Sequence, residues 1–224
     1  MTEEKTINND QEKEMGLFLD KIYTKVLDGI PKVSLPVDEL ARDYISKNPD
    51  VEIAAKSLIK YQIAKCTTSG FLTGLGGVVT MPVTIPANVS NVLYVQMRMI
   101  ASVAYLAGYD VKSDQVKTLV YVCLAGVSID NILKNVGINA GEKLAMNLIK
   151  KIPGATLTKI NQKVAFRLVT KFGSKGVINL GRMVPFVGGV IGGGFDYAET
   201  KLMAKRAYTL FIKGDMNSKI YYEE

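Results

Sequence analysis

Arg98 is the first residue to question for chemistry, because it carries the sole charge between Lys65 and Asp110. A guanidinium in such apolar company needs a partner or an interface, since an arginine at the centre of a membrane helix costs about 2.5 to 3.5 kcal/mol. Two roles are open to it. It would either form an ion pair or solvated face that keeps neighbouring helices in register, or contact a ligand or lipid phosphate.

A second set of cations is periodic. Lys159, Lys163, Arg167, Lys171 and Lys175 recur every four residues beside Ile160, Val164, Leu168 and Phe172. On a helix the two series form adjacent ridges, with lysine stems along apolar surface and ammonium groups reaching water or phosphate. An interfacial membrane helix has this arrangement, and so does the solvated face of an ordinary bundle helix. Nucleic acid is not expected as a partner, because the ridge has no recognition motif and few interleaved aromatics for stacking on bases.

Catalysis has little to draw on. Histidine is absent from the chain, which removes triads, histidine-zinc sites and the commonest general base. Between Lys143 and Phe195 there are 53 residues without Asp or Glu. Paired-carboxylate catalysis would have to draw on the amino-terminal half or on Asp196 and Glu199; Asp196 is the one weak catalytic candidate, and no metal site is expected. Neither GxxxxGK[ST] nor a GxGxxG in strand-to-helix context can be fitted, so no phosphate loop and no cofactor is expected. Cys66 and Cys123 stand in apolar surroundings without CxxC spacing, as two small buried hydrophobes in a reducing compartment. The amino terminus lacks the pattern of a secretory signal.

The elements that would position these residues read as helical nearly throughout. Leu19, Ile22, Tyr23, Val26, Leu27 and Ile30 mark a first amphipathic helix ending at Gly29 to Pro31. A short helix through Tyr44 follows Ser34 to Pro36. Asn48-Pro49-Asp50 reads as an N-cap, a proline at the first helical position and an acid in the first turn of a third helix running towards Cys66.

From Cys66 to Met97 there are 32 residues without a charged side chain, and such an interval must be buried in protein, in lipid or in both. Pro82 and Pro86 divide it. Gly70, Gly74 and Gly77 place small residues at the spacing that lets helix backbones approach closely, and Gly188 and Gly192 do the same in a second glycine-rich run. The two runs are expected to pack together centrally.

The helix from Ala87 to Ala107 carries Asn91, Tyr94, Arg98, Ser102 and Tyr105 on one stripe, and so reads as amphipathic. Gln96 lies off that stripe as a core amide. Gly108-Tyr109-Asp110 ends this helix, and Ser113 opens another through about Asn135, with Val116, Leu119, Val120, Cys123, Leu124 and Val127 inward. After a break at Gly137 to Gly141, a helix from Glu142 to Ile152, the ridge helix and a last helix from Tyr197 to Ile212 complete the chain.

Charge is unevenly spread. Met1 to Glu52 holds 12 acids and 7 bases, whereas Glu142 to Lys213 holds 13 bases and 3 acids. A basic half attracts anionic headgroups, an acidic partner, or the acidic half of its own fold.

Taken together, Thr73-Gly74-Leu75-Gly76-Gly77, Pro82, Pro86, Gln96, Ile100 and Gly108-Tyr109-Asp110, followed by Val184-Pro185-Phe186-Val187-Gly188-Gly189 and Asp196-Tyr197, resemble the EcsC family over roughly Ala54 to Phe211. The resemblance implies a bacterial, helical, membrane-proximal protein without settled activity. No catalytic residues can be carried over, and several family members have asparagine where Asp196 stands.

The expectation is an all-α chain with a flexible tail over 1–14, one helical domain over 15–213 and a polar tail over 214–224. It would sit on the cytoplasmic face of the cytoplasmic membrane, peripheral or partly inserted, and bind anionic lipid or a membrane-protein partner, with self-association left open. The competing readings are an enzyme acting on an amphiphile, with Arg98 and Asp196 in a helical cavity, and a soluble helical interaction module.

Overall fold

The computed structural model describes residues 9–48, 50–67, 87–138, 146–172 and 190–215. Helix α1 (Asn9–Asp28) buries Met15, Phe18, Leu19, Ile22, Tyr23 and Val26, the three-and-four spacing that gives a helix one dry face. It starts at Asn9, within the stretch expected to be a tail. Gly29 ends it at φ +72°, a left-handed conformation that side chains resist. A Cβ there would also stand 2.6 to 2.8 Å from Ser34 O, Pro36 N and Leu35 C. The chain folds back tightly enough for Ile30 and Ser34 to form an antiparallel bridge before α2 (Val37–Lys47).

Asn48 closes α2 rather than opening the next helix, its side-chain amide donating to Tyr44 O at 3.2 Å. The cap of α3 (Val51–Thr67) is Asp50, whose carboxylate accepts from Ile53 N at 3.0 Å. Two cap-type residues flank Pro49, and Asp50 supplies the oxygen at the orphan donor.

Helix α4 (Ala87–Leu106) is the axis of the fold. It touches α1, α2 and α3, then α5 (Asp114–Ala125) and α9 (Val190–Ala207). Every side chain from Leu93 to Ala104 is buried. The amphipathic reading of this helix is therefore corrected. Its stripe of Tyr94, Arg98 and Ser102 is as dry as the opposite side, because it faces other protein rather than water. This part of the uncharged interval is buried in protein.

Its end follows the sequence closely. Gly108 at φ +84° donates to Tyr105 O at 2.9 Å and Tyr109 N to Ala104 O at 3.1 Å, a Schellman closure.

Ser113 caps α5, accepting from Val116 N. The predicted run to Asn135 is interrupted at Gly126, whose φ of +66° terminates α5. A side chain there would fall onto the Arg206 guanidinium. A short α6 (Asp130–Lys134) and α7 (Met146–Lys150) follow. Helix α8 (Gly154–Phe172) packs on α1 and α5, burying Ile160, Val164 and Leu168.

Helix α9 begins at Val190, earlier than the expected Tyr197, because the glycines at 192–194 fall within it. It widens into a π turn, Tyr208–Ile212, rather than continuing as α-helix. The wider turn sets Tyr208 Oη 3.0 Å from a Glu52 carboxylate oxygen, with Lys213 ion-paired to the same carboxylate.

Among the described residues the fold is all-α, without strands, and no helix is long and apolar enough to cross a membrane. Gly70, Gly74, Gly77 and Gly188 lie outside the described residues, so the expected glycine-to-glycine packing does too. Gly192 lies on α9.

Candidate functional site

Arg98 is 2% exposed. Its Nη2 donates to Leu35 O at 2.8 Å, while Nε and Nη1 have no hydrogen-bond partner. Four residues earlier on the same stripe, the Tyr94 and Ser34 hydroxyls are 2.6 Å apart. The polar stripe of α4 thus meets the α1–α2 connection, which the left-handed Gly29 turn holds in place. Neither an ion pair nor a solvated face is found for Arg98 among the described residues. Burial pulls its guanidinium below the usual range, partly opposed by Tyr94 and Tyr44.

Gln96 looks the other way and donates to Thr200 of α9 at 2.9 Å, with its Oε1 unmatched. Arg98 lies roughly 200° further round the helix, on the α2 side. The Asp196 side chain is outside the described residues, and among those described no group of His, Cys, Asp or Glu could hold a metal. Burial pushes the Cys123 thiol up to about 12, and both cysteines are buried and outside any disulfide. They are packing residues, as expected.

The basic ridge lies on α8 and meets different partners. Lys159, Lys163 and Arg167 are exposed, yet Lys163 Nζ donates to Ser128 O at 2.7 Å. Lys171 is ion-paired to Glu199 of α9; Lys175 lies outside the described residues. Arg167 and Lys171 line a cavity of about 310 Å³ with Glu199 and Arg206. Part of the ridge is therefore held by the protein itself.

Sequence reasoning missed a larger feature. Between α3 and α9 runs a groove of about 610 Å³ with Ile59, Ile63, Ala64 and Ala204 along it. Lys56 and Lys60 rim one side, Lys201 and Lys205 the other, and Tyr197 and Tyr208 also line it. The two helices are antiparallel here, since Tyr208 at the end of α9 reaches Glu52 at the start of α3. Lys56 Nζ lies 3.8 Å from Glu52 Oε2 and 5.7 Å from the Tyr208 ring centroid. Each lysine pair is spaced i, i+4 and so shares a helix face. That is the signal the sequence did contain, but the two pairs meet only in the folded chain.

The described residues are thus all-α helices packed around one buried helix, with a lysine-rimmed apolar groove on their surface. The model of the EcsC protein family matches residues 49–213, from the start of α3 to the end of the π turn, and the chain belongs to that family. No curated protein and no solved structure matches it. Helices α1 and α2 precede the matched residues.

Proposed function

We propose that the chain is a lipid-binding protein of the inner membrane surface, with the α3–α9 groove taking the acyl chain of an anionic lipid and its lysines the headgroup. The observation that carries this is the pairing of apolar floor and cationic rim in one groove. Lysine stems lie along apolar surface while their ammonium groups reach outward. Each lysine near an anionic surface contributes about 1 kcal/mol, and each methylene removed from water about 0.8 kcal/mol. The groove volume also falls in the roughly 300–1,000 Å³ range of small-molecule sites. Peripheral attachment agrees with the lack of a spanning helix among the described residues.

The test is co-sedimentation of the full chain with vesicles of phosphatidylglycerol or of phosphatidylcholine across a salt series. Binding to the anionic vesicles that weakens as salt rises is expected. Failure to bind either composition at low salt would overturn the reading.

A further inference from the structure

We propose that the buried guanidinium of Arg98 is an oxyanion-binding site for a phosphate or a carboxylate. A guanidinium has five N–H donors in a rigid fork, and Leu35 O accepts from Nη2 alone. The single N–H of Nε and both of Nη1 point into protein without an acceptor. Whichever Nη2 hydrogen Leu35 takes, one two-pronged edge remains, either Nε with Nη2 or Nη1 with Nη2. Two oxygens of one anion fit such an edge side by side.

No counter-charge is found among the described residues. From Cys66 to Tyr109 the sequence contains neither Asp nor Glu, and no described carboxylate pairs with Arg98. A cation removed from water without an opposite charge is strongly unfavourable, and here it is held in place by a backbone carbonyl.

A second cation stands nearby. Burial, and then the charge of Arg98 itself, hold the Lys65 ammonium below its usual range. Gln62, one turn before Lys65 on α3, is fully buried with both ends of its amide unmatched. Arg98 and Gln62 thus offer unmatched buried donors, and Lys65 adds positive charge to the same region. This site uses different lysines from the groove and does not depend on it.

The experiment follows the Nε–H resonance of Arg98 in the ¹⁵N-arginine-labelled full chain, identified by its loss in R98K. Inorganic phosphate is titrated against chloride at equal ionic strength, and separately a short-chain phosphatidylglycerol below its micelle concentration. Saturable movement with inorganic phosphate identifies a free anion as the occupant, and movement with the lipid alone identifies a headgroup; either supports the site. K65Q should weaken the response about fivefold, as removal of one partly screened charge does. K60Q/K201Q should leave the response to inorganic phosphate unchanged, which separates this site from the groove. Should R98K not fold, R42K, R167K, R182K and R206K assign the resonance by elimination, and a resonance that neither ligand moves would overturn the inference.

Discussion

Replacing Lys60 and Lys201 together by glutamine removes one cation from each rim of the α3–α9 groove and keeps most of each stem. Both residues are exposed, so the fold should change in stability by no more than about 0.5 kcal/mol. At about 1 kcal/mol per lysine near an anionic surface, the double variant should lose about 2 kcal/mol, or roughly 30-fold in partition onto phosphatidylglycerol vesicles. The difference should shrink as the screening length falls from about 8 Å at physiological salt to about 3 Å at 1 M. Sedimentation of wild type and K60Q/K201Q over that range measures both. An equal loss on phosphatidylcholine, or no loss on phosphatidylglycerol, refutes the electrostatic rim. A greater loss in K159Q/K163Q than in K60Q/K201Q would show that the α8 ridge, not the groove, turns towards lipid.

Other consequences are measurable in solution. Gly29→Ala places a Cβ against Ser34, Leu35 and Pro36 at φ +72° and should destabilise the chain by about 2 kcal/mol in urea unfolding; an unchanged midpoint would remove the constraint assigned to this turn. The Glu52 carboxyl is held below its usual 4.5 by hydrogen bonds from Lys213 and then Tyr208. A depressed carboxylate stabilises the fold above its unfolded value, and that stabilisation is lost as pH falls through the lowered one. Thermal melts below pH 4.5 should therefore show a shallower acid loss in E52Q than in wild type, and parallel curves would contradict the clasp. Cys66 and Cys123 are buried, and burial raises the Cys123 thiol to about 12. Both should resist iodoacetamide at neutral pH until urea unfolds the chain, as mass spectrometry would record; rapid native labelling would contradict the packing.

Local signals were legible in the sequence wherever one residue type settled the geometry. The inward face of α1, the Ser113 cap, the Gly108 closure and the Ile160, Val164 and Leu168 row each follow from spacing alone. The stop at Gly126 was less legible, because the periodicity runs on past it, and the Arg206 guanidinium that lies against it comes some 80 residues later. A helical wheel displayed the polar stripe of α4 but not what it faces. Tyr94 and Arg98 look solvated on paper and are covered by the chain that turns at Gly29. The groove escaped for the same reason, its two lysine pairs being separated by most of the chain. The sequence does show that no acid stands near Arg98 along the chain, yet only the structure shows that two of its three nitrogens lack an acceptor.

The first two helices precede the residues matched to the family, but they are no appendage. Tyr23 of α1 donates to Val111 O at 2.7 Å, Tyr121 of α5 donates to Asp20 of α1 at 2.9 Å, and the turn between α1 and α2 roofs the guanidinium of α4. A fragment trimmed to residues 49–213 would lay bare a long flank of its innermost helix to solvent. The boundary of sequence kinship and the boundary of autonomous folding therefore fall at different places in this chain, and shortened versions made for study should keep both leading helices.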